Sequence, residues 1–410
     1  MNSPVVIGAG TMGLGIAMAF ADAGFEVRLI DSSPDSLERA KARIARTYET
    51  AVAKGRLTRD QAERRRASIA MGGQTDYADA DFVVEAVFED LALKNRIFRT
   101  LGERCSAAAV LASNTSTLDV DAIGAGVAGP ERIIGMHFWN PAHVNRALEI
   151  VRGSKTAPQT IATVVELGER LGKVPIVVGN CDGFVANRML FKYIREAELL
   201  LEEGASVAEV DRAFVDFGFP MGPLAMLDLA GVDVGWRVRQ EKQKRGGVPY
   251  RLSRLTDLLH ERGRHGQKSG AGFYAYAGGR YQPISDGVVE ELAAAERSLR
   301  GASKRTPDAP EILERCMWSA VNEGAFILEE GIASSAADID AIWLYGFGFP
   351  ARYGGPMGYA EAIGLPHVYE FVRERARSDP EFWRPAPLLE RLAARAGSFA
   401  DFKPASGVAV

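Results

Sequence analysis

The sequence predicts an α/β domain followed by two tandem all-α domains, and three observations carry the prediction. A glycine-rich turn joins a short apolar run to an apolar helix near the start of the chain. Strand-like apolar runs then recur as far as residue 151, and from Phe184 onward the patterning turns helical. The helical part also repeats itself. Leu201-Glu202-Glu203-Gly204 returns as Leu328-Glu329-Glu330-Gly331, Gly218-Phe219-Pro220 as Gly348-Phe349-Pro350, and Gly222-Pro223 as Gly355-Pro356, at offsets of 127, 130 and 133 residues. A duplicated helical unit with small insertions produces that pattern. The expected domains are residues 1–182, 183–300 and 301–410, with Arg300 to Pro310, rich in Ser, Lys, Pro and charge, as the linker between helical copies.

At 410 residues the chain exceeds one ordinary domain. Hydrophobic residues at 47%, charged residues at 25% and a formal net charge of -4 describe a soluble globular protein without general nucleic-acid affinity, so any anion it binds needs a local site. Cys105, Cys181 and Cys316 are far apart and lack CxxC spacing, which suits a reducing compartment and offers neither a disulfide framework nor a zinc site. No run approaches the roughly 18 apolar residues of a membrane span, and a strand beginning at Val5 leaves no room for a leader peptide. The expectation is a cytoplasmic protein with no membrane partner.

Val5-Val6-Ile7 reads as a buried strand, and Gly8-Ala9-Gly10-Thr11-Met12-Gly13 leads from it into a helix ending near Gly24. In that context GxGxxG is the dinucleotide-binding turn of a Rossmann-type domain. Gly8 permits the tight turn, Gly10 lets backbone approach a pyrophosphate, Gly13 brings helix against strand, and the amides from Thr11 and Met12 open the helix toward the phosphates. A second strand, Val27 to Ile30, delivers Asp31 18 residues past Gly13, where a carboxylate accepts the ribose hydroxyls and repels a 2′-phosphate. Ser32, Ser33 and Pro34 offer no compensating arginine, so NAD is the expected cofactor. FAD sites share this opening, but nothing later resembles the additional FAD-binding segments of flavoproteins.

Residues 34–66 form two helical stretches broken at Lys54-Gly55-Arg56 and carry Arg39, Lys41, Arg43, Arg46, Arg59, Arg64, Arg65 and Arg66 besides. A solvated helix face and a site for a polyanion such as coenzyme A both explain the run. Asp81 to Val87 then reads as a buried strand, with Glu89, Asp90 and Lys94 where the next helix begins. Ala109 to Ala112 is another strand, whose end presents Ser113-Asn114-Thr115-Ser116. Ligands of open α/β sheets bind beyond the carboxyl ends of strands, so both ends point at the cofactor crevice.

Ile133 to Phe138 reads as a further strand with His137 near its end, and Glu149 lies inside the apolar run Leu148-Glu149-Ile150-Val151. A buried carboxylate is costly unless paired, and His137 on a neighbouring strand is its natural partner. Oxidising a hydroxyl requires a base near neutral pH for the O–H proton, and a carboxylate-oriented imidazole meets that need. A lone histidine in an apolar strand is more often a satisfied core residue; Glu149 is what turns the reading toward chemistry.

Ser113-Asn114-Thr115-Ser116, His137-Phe138-Trp139-Asn140-Pro141, Glu149 nine positions after Asn140, and Gly183-Phe184-Val185-Ala186-Asn187-Arg188 together resemble the 3-hydroxyacyl-CoA dehydrogenases. The likeness is closest to the dehydrogenase portion of the multifunctional fatty-acid β-oxidation enzymes and runs from Val5 to about Phe402. It implies NAD-dependent interconversion of (S)-3-hydroxyacyl-CoA and 3-oxoacyl-CoA, an acyl-CoA thioester as substrate, and other β-oxidation enzymes as partners. It also implies His137 as general base oriented by Glu149, with Ser116 and Asn187 bonding the reacting hydroxyl or thioester. Asn140 would support the histidine and nearby ligand groups, and Glu89 and Lys94 would border the nicotinamide ribose.

The chain departs from the family pattern at Asn145, where methionine is usual, and at Ala147, where a larger residue is common. Asn140 matches the single-function members, whereas multifunctional ones often have serine. No hydratase domain precedes Met1, so hydration of enoyl-CoA is not expected. The helical copies are also unequal, because Glu314-Arg315 stands in the place of Asn187-Arg188. One active site is therefore expected, served by the first copy. Single-function relatives pair such domains between two subunits, and an internal duplicate replacing that contact implies a monomer. Lys268, in Gly266-Gln267-Lys268-Ser269-Gly270, reads as turn and packing structure. Two other readings compete. One is a dehydrogenase of a small free hydroxy acid, suggested by the polarity of Asn145. The other is an idle NAD-binding scaffold, opposed by the retention of Ser116, His137, Glu149 and Asn187.

Overall fold

A computed structural model describes residues 4–73, 77–276 and 283–402. Eight short strands, β1 (Pro4–Ile7), β2 (Val27–Ile30), β3 (Ile69–Gly72), β4 (Phe82–Glu85), β5 (Val110–Ser113), β6 (Ile133–Phe138), β7 (Ala147–Arg152) and β8 (Val174–Gly179), form one sheet in the order β3-β2-β1-β4-β5-β6-β7-β8. The first six are parallel, whereas β7 runs antiparallel to β6 and parallel to β8. Strands such as Val5-Val6-Ile7 and Phe82-Val83-Val84 are continuous apolar runs because helices cover both faces of a parallel sheet. The order reverses between β1 and β4, which opens the ligand crevice beyond their carboxyl ends. Two strands, β3 and β8, were not anticipated.

The helices of this part are α1 (Thr11–Asp22), α2 (Pro34–Ala53), α3 (Arg59–Ala67), α4 (Leu91–Arg104), α5 (Val120–Ile123) and α6 (Pro158–Arg170). Ile16, Met18 and Phe20 of α1 join Val6, Leu29 and Phe82 in the core. The expected break between α2 and α3 is present: Gly55 turns the chain at φ +66°, and Thr58 with Gln61 closes a capping box on α3. Asp90 caps α4 by accepting from the Leu93 amide at 2.7 Å.

Helices fill the rest: α7 (Ala186–Glu203), α8 (Val207–Phe217), α9 (Pro223–Ala230), α10 (Val232–Lys244), α11 (Leu255–Glu261), α12 (Val288–Leu299), α13 (Ala309–Glu329), α14 (Ala336–Gly346), α15 (Pro356–Ile363), α16 (Leu365–Ala376), α17 (Pro380–Trp383) and α18 (Pro387–Ala394). The duplication relates α7 to α13 and α9-α10 to α15-α16. Gly231 and Gly364, which separate the latter pairs, share left-handed φ values of +104° and +107°.

Contacts between the copies are reciprocal. Arg188 Nε donates to Glu323 at 2.6 Å, and its counterpart Arg315 donates to Glu196, the counterpart of Glu323, at 2.8 Å. Phe219 meets its own counterpart Phe349 edge to face at 5.2 Å. A Cβ on Gly218 would lie 3.2 Å from Pro350, and one on Gly348 2.9 Å from Pro220. Self-complementary contacts of this kind are what a two-fold symmetric dimer makes between subunits; here one chain makes them with itself.

Packing divides the chain differently from the expected 1–182, 183–300 and 301–410. One compact unit is the chain through Asn187 joined by Glu330–Phe347; the other is Arg188–Glu329 joined by the residues from Gly348 on. Residues 403–410 lie outside the described residues. Two causes are visible. The reciprocal ion pairs fuse the helical copies into one body. Within the first unit, α14 lies on β7 and β8, and Gly179 N donates to Ile332 O at 2.7 Å.

Candidate active site

The phosphate turn has the geometry its glycines demand. Gly8 sits at φ +103°, and a Cβ there would stand 2.7 Å from Ala86 O; one on Gly13 would stand 1.8 Å from Gly8 O. Gly10 is different, since no atom lies within 4 Å of the position its Cβ would take. That opening, beside the start of α1 at Thr11 and Met12, is room for a pyrophosphate against helix amides. Asp31 accepts from Ala9 N at 2.7 Å through one oxygen and from Ser33 N at 2.8 Å through the other. A carboxylate offers about four acceptor positions, so its remaining lone pairs suit ribose hydroxyls. The residues present fit NAD.

A buried polar chain joins the ends of β4 and β5. Glu85, fully buried, accepts from Lys94 Nζ, Val87 N and Ser113 Oγ, each at 2.7 Å. Lys94, 1% exposed, also reaches Glu89 at 3.3 Å. Glu89 in turn accepts from Thr115 Oγ1 at 2.6 Å and Ser116 N at 2.9 Å. Burial alone would raise the Glu89 carboxyl; the Lys94 ammonium and the bonds from Thr115 and Ser116 outweigh it and hold it below its usual value. The Lys94 ammonium is thus enclosed between two carboxylates and faces no open crevice. Glu89, at the rim, is the more exposed member of the pair.

His137 and Glu149 are directly opposed across the antiparallel pair β6–β7. His137 Nδ1 lies 2.7 Å from Glu149 Oε2. The other oxygen of this fully buried carboxylate accepts from Val185 N at 3.1 Å and Ala186 N at 2.9 Å, where α7 begins. Left-handed backbone at Gly183, φ +81°, and Phe184, φ +52°, turns those amides inward. Amides at a helix start favour an acceptor, and here two of them converge on one Glu149 oxygen, which leaves the other for His137. That second oxygen keeps the Nδ1 proton in place, which leaves Nε2 as an acceptor with no protein partner among the described residues. Asn187 Nδ2 donates to Ser116 O at 3.0 Å, so these two expected site residues meet as well.

Asn140 is placed otherwise. It is exposed and makes no hydrogen bond to His137 among the described residues. Its neighbour Trp139 does the contacting, with ring centroids 4.5 Å apart and planes at 34°. Asn145 is engaged within the protein, because its amide donates to Gly346 O at 3.1 Å and accepts from Ala147 N at 3.0 Å. Ala147 is fully buried, 3.5 Å from where a Cβ on Gly346 would stand, so its smallness serves packing. In the basic run, Arg65 pairs with Asp22 and Arg43 reaches Thr11 Oγ1 at 3.1 Å. Lys268 lies in a short 3₁₀ turn and pairs with Asp233 at 2.5 Å. In the second copy Glu314, in the place of Asn187, pairs with exposed His367 at 2.9 Å. No cluster of metal-ligating side chains occurs among the described residues, and no described helix is long and apolar enough to cross a membrane.

A dinucleotide turn at one strand end and a buried imidazole–carboxylate pair at another are features that an alcohol dehydrogenase requires, and that is the class this sheet supports. Comparison with known proteins narrows it. The chain matches the NAD-binding domain of 3-hydroxyacyl-CoA dehydrogenase over residues 4–181 and its C-terminal domain over 183–276 and 312–400. It belongs to the 3-hydroxyacyl-CoA dehydrogenase family, and its cofactor is NAD. The peroxisomal bifunctional enzyme of Danio rerio is 42% identical over 417 residues, covering 96% of this chain and 56% of that protein. The chain thus spans just over half the length of such curated relatives. Among solved structures, 3-hydroxybutyryl-CoA dehydrogenase from Escherichia coli superposes with a TM-score of 0.82 at 28% identity, covering 96% of this chain and 98% of that one. The dehydrogenase part of multifunctional enzyme 1 from C. elegans superposes at 0.68 with 30% identity, covering 95% and 89%.

Proposed function

We propose that this chain is an NAD-dependent (S)-3-hydroxyacyl-CoA dehydrogenase, interconverting 3-hydroxyacyl-CoA and 3-oxoacyl-CoA within fatty-acid β-oxidation. One observation carries the reading: the buried His137–Glu149 pair, in which Nε2 has no hydrogen-bond partner among the described residues. Bound NAD supplies the acceptor for the hydride that leaves the substrate carbon. His137 Nε2 takes the hydroxyl proton, and Glu149 stabilises the resulting imidazolium through the 2.7 Å contact. Ser116 and Asn187, joined at 3.0 Å, present the hydroxyl and amide that orient the reacting oxygen. Glu89 borders the ribose, with Lys94 neutralising it from behind.

The free hydroxy acid loses its support, since the polarity of Asn145 is spent on Gly346 and Ala147. The reciprocal contacts of the two helical copies favour a monomer, which light scattering at 44.3 kDa supports and twice that mass overturns. We place the protein in a reducing, cytoplasmic setting on its cysteine spacing. The functional test follows NADH oxidation at about 340 nm with acetoacetyl-CoA and longer 3-oxoacyl-CoA thioesters beside free acetoacetate. Turnover of thioesters alone is expected. Silence with every thioester despite NADH binding refutes the proposal.

A further inference from the structure

Trp139 follows His137 by two residues and belongs to the turn that leaves β6, yet its ring folds back over the imidazole at 4.5 Å. A turn residue needs a reason to stay there, and the reason comes from far along the chain. Phe347 packs against the indole edge to face at 6.3 Å, and Gly346 lies so close that a Cβ on it would stand 3.2 Å from the indole Cε2 and Nε1. Gly346 is itself anchored, because its carbonyl accepts from Asn145 Nδ2 at 3.1 Å, on the chain just before β7. Asn145 also accepts from Ala147 N, two residues before Glu149 in β7. One glycine at the end of α14 therefore touches the ring above His137 and the strand that carries its carboxylate partner.

We propose that Trp139 is a positioning residue for His137, held over the imidazole by Gly346 and Phe347 at the end of α14, so that the second helical copy contributes to the catalytic geometry. The inference rests on the functional reading above. An indole face attracts a cation, and a protonated imidazole beneath it is stabilised as the base completes its step. The ring also fixes the plane in which Nε2 points. Glu149 is the one charged group in direct contact with His137 among the described residues; the other rings near it are Trp139 and Phe184, the latter at 6.1 Å. The orientation of the imidazole is thus set by one carboxylate and two aromatic rings. The absence of a side chain at Gly346 follows from the same need, since a Cβ there would stand 3.2 Å from the indole.

The test uses Trp139→Leu, Trp139→Phe and Gly346→Val in the full chain. The leucine variant should lose about tenfold or more in kcat while KM for NADH stays within about twofold. The acid limb of its kcat profile for hydroxyacyl-CoA oxidation should move toward acid by about half a pH unit or more, because the imidazolium has lost its ring. Trp139→Phe should restore most of both, and Gly346→Val, if folded by circular dichroism, should reproduce the leucine defect. A second readout needs no turnover. A protonated imidazole quenches an adjacent indole, so the emission difference between wild type and Trp139→Phe should titrate, and should cease to titrate in the His137→Gln background. Wild-type kcat and pH profile in Trp139→Leu, or an emission difference that ignores pH, overturn the proposal. If no thioester is turned over by wild type, the functional reading fails separately, and the emission titration alone decides the stacking.

Discussion

Replacing Glu149 by glutamine keeps the shape of the buried side chain and removes its charge. Its two oxygens do different jobs: one takes the Val185 and Ala186 amides at 3.1 and 2.9 Å, and the other faces His137 Nδ1 at 2.7 Å. Glutamine has one acceptor. If that oxygen stays on the two amides, its NH2 group faces Nδ1, and the imidazole must shift its proton to Nε2. The base then carries a proton on the nitrogen that has to accept one. If the amide flips, the Val185 and Ala186 N–H groups face donors in a fully buried site, at a cost of about 1–3 kcal/mol. Losing a charge-assisted bond of about 1.5–3 kcal/mol in the transition state corresponds to about 10- to 150-fold in kcat. Steady-state oxidation of 3-hydroxybutyryl-CoA from pH 6 to 9, with circular dichroism to confirm folding, reads both effects. The expected result is that loss in kcat with a shifted acid limb. A folded variant with kcat within about threefold of wild type and an unmoved profile would refute the pairing.

Gly13→Ala puts a methyl 1.8 Å from Gly8 O and should abolish NADH binding by fluorescence titration, whereas Gly10→Ala has no atom within 4 Å in the free protein and should weaken NADH binding without lowering Tm. Asp31→Ala should raise KM for NAD by about 10- to 100-fold, the worth of hydrogen bonds to a charged group, and an unchanged KM would count against the ribose contact. Glu311 joins Arg305 and Arg375, and the Arg305 hydrogen bonds, with Arg375 adding to them, pull its carboxyl down to about 2. Its folded value lies below the unfolded one, so its contribution is complete above about pH 4.5 and fades as pH falls toward 2. Glu311→Gln should therefore lower Tm by roughly 2 °C at neutral pH, with a gap to wild type that narrows in scanning calorimetry as pH drops from 5 to 3.

The parts of the fold that depend on neighbours in sequence were legible. Val5-Val6-Ile7 with its glycine turn, Asp31 at the next strand end and the Gly55 break all rest on local periodicity and backbone freedom. His137 and Glu149 were legible because a buried acid and a histidine twelve residues away fit adjacent strands of a hairpin. The duplication was legible because it left matching strings, and the reciprocal Arg188–Glu323 and Arg315–Glu196 pairs follow from it. What pattern could not show was pairing at a distance. Asn145 looked like a substrate contact because its partner, Gly346, lies 201 residues away. Lys94, expected from the family resemblance to border the ribose, also bonds Glu85 at 2.7 Å, a burial that its place at a helix start did not reveal. The short edge strand β3 carries Ile-Ala-Met-Gly, too weak an alternation to separate from a loop, and β8, at the other edge, holds Pro175, a residue that sheets admit chiefly at edges, strand starts and bulges. The packing of α14 on β7 and β8 left no trace in helical periodicity, since any apolar face serves either unit.

The most direct test compares wild type with His137→Gln, using acetoacetyl-CoA and NADH and measuring NADH affinity in parallel. A neutral amide in place of the imidazole preserves bulk and removes the proton acceptor and donor, so kcat should fall by about 10²-fold or more while the Kd for NADH stays near wild type. Equal turnover by the two proteins would contradict the account at its centre.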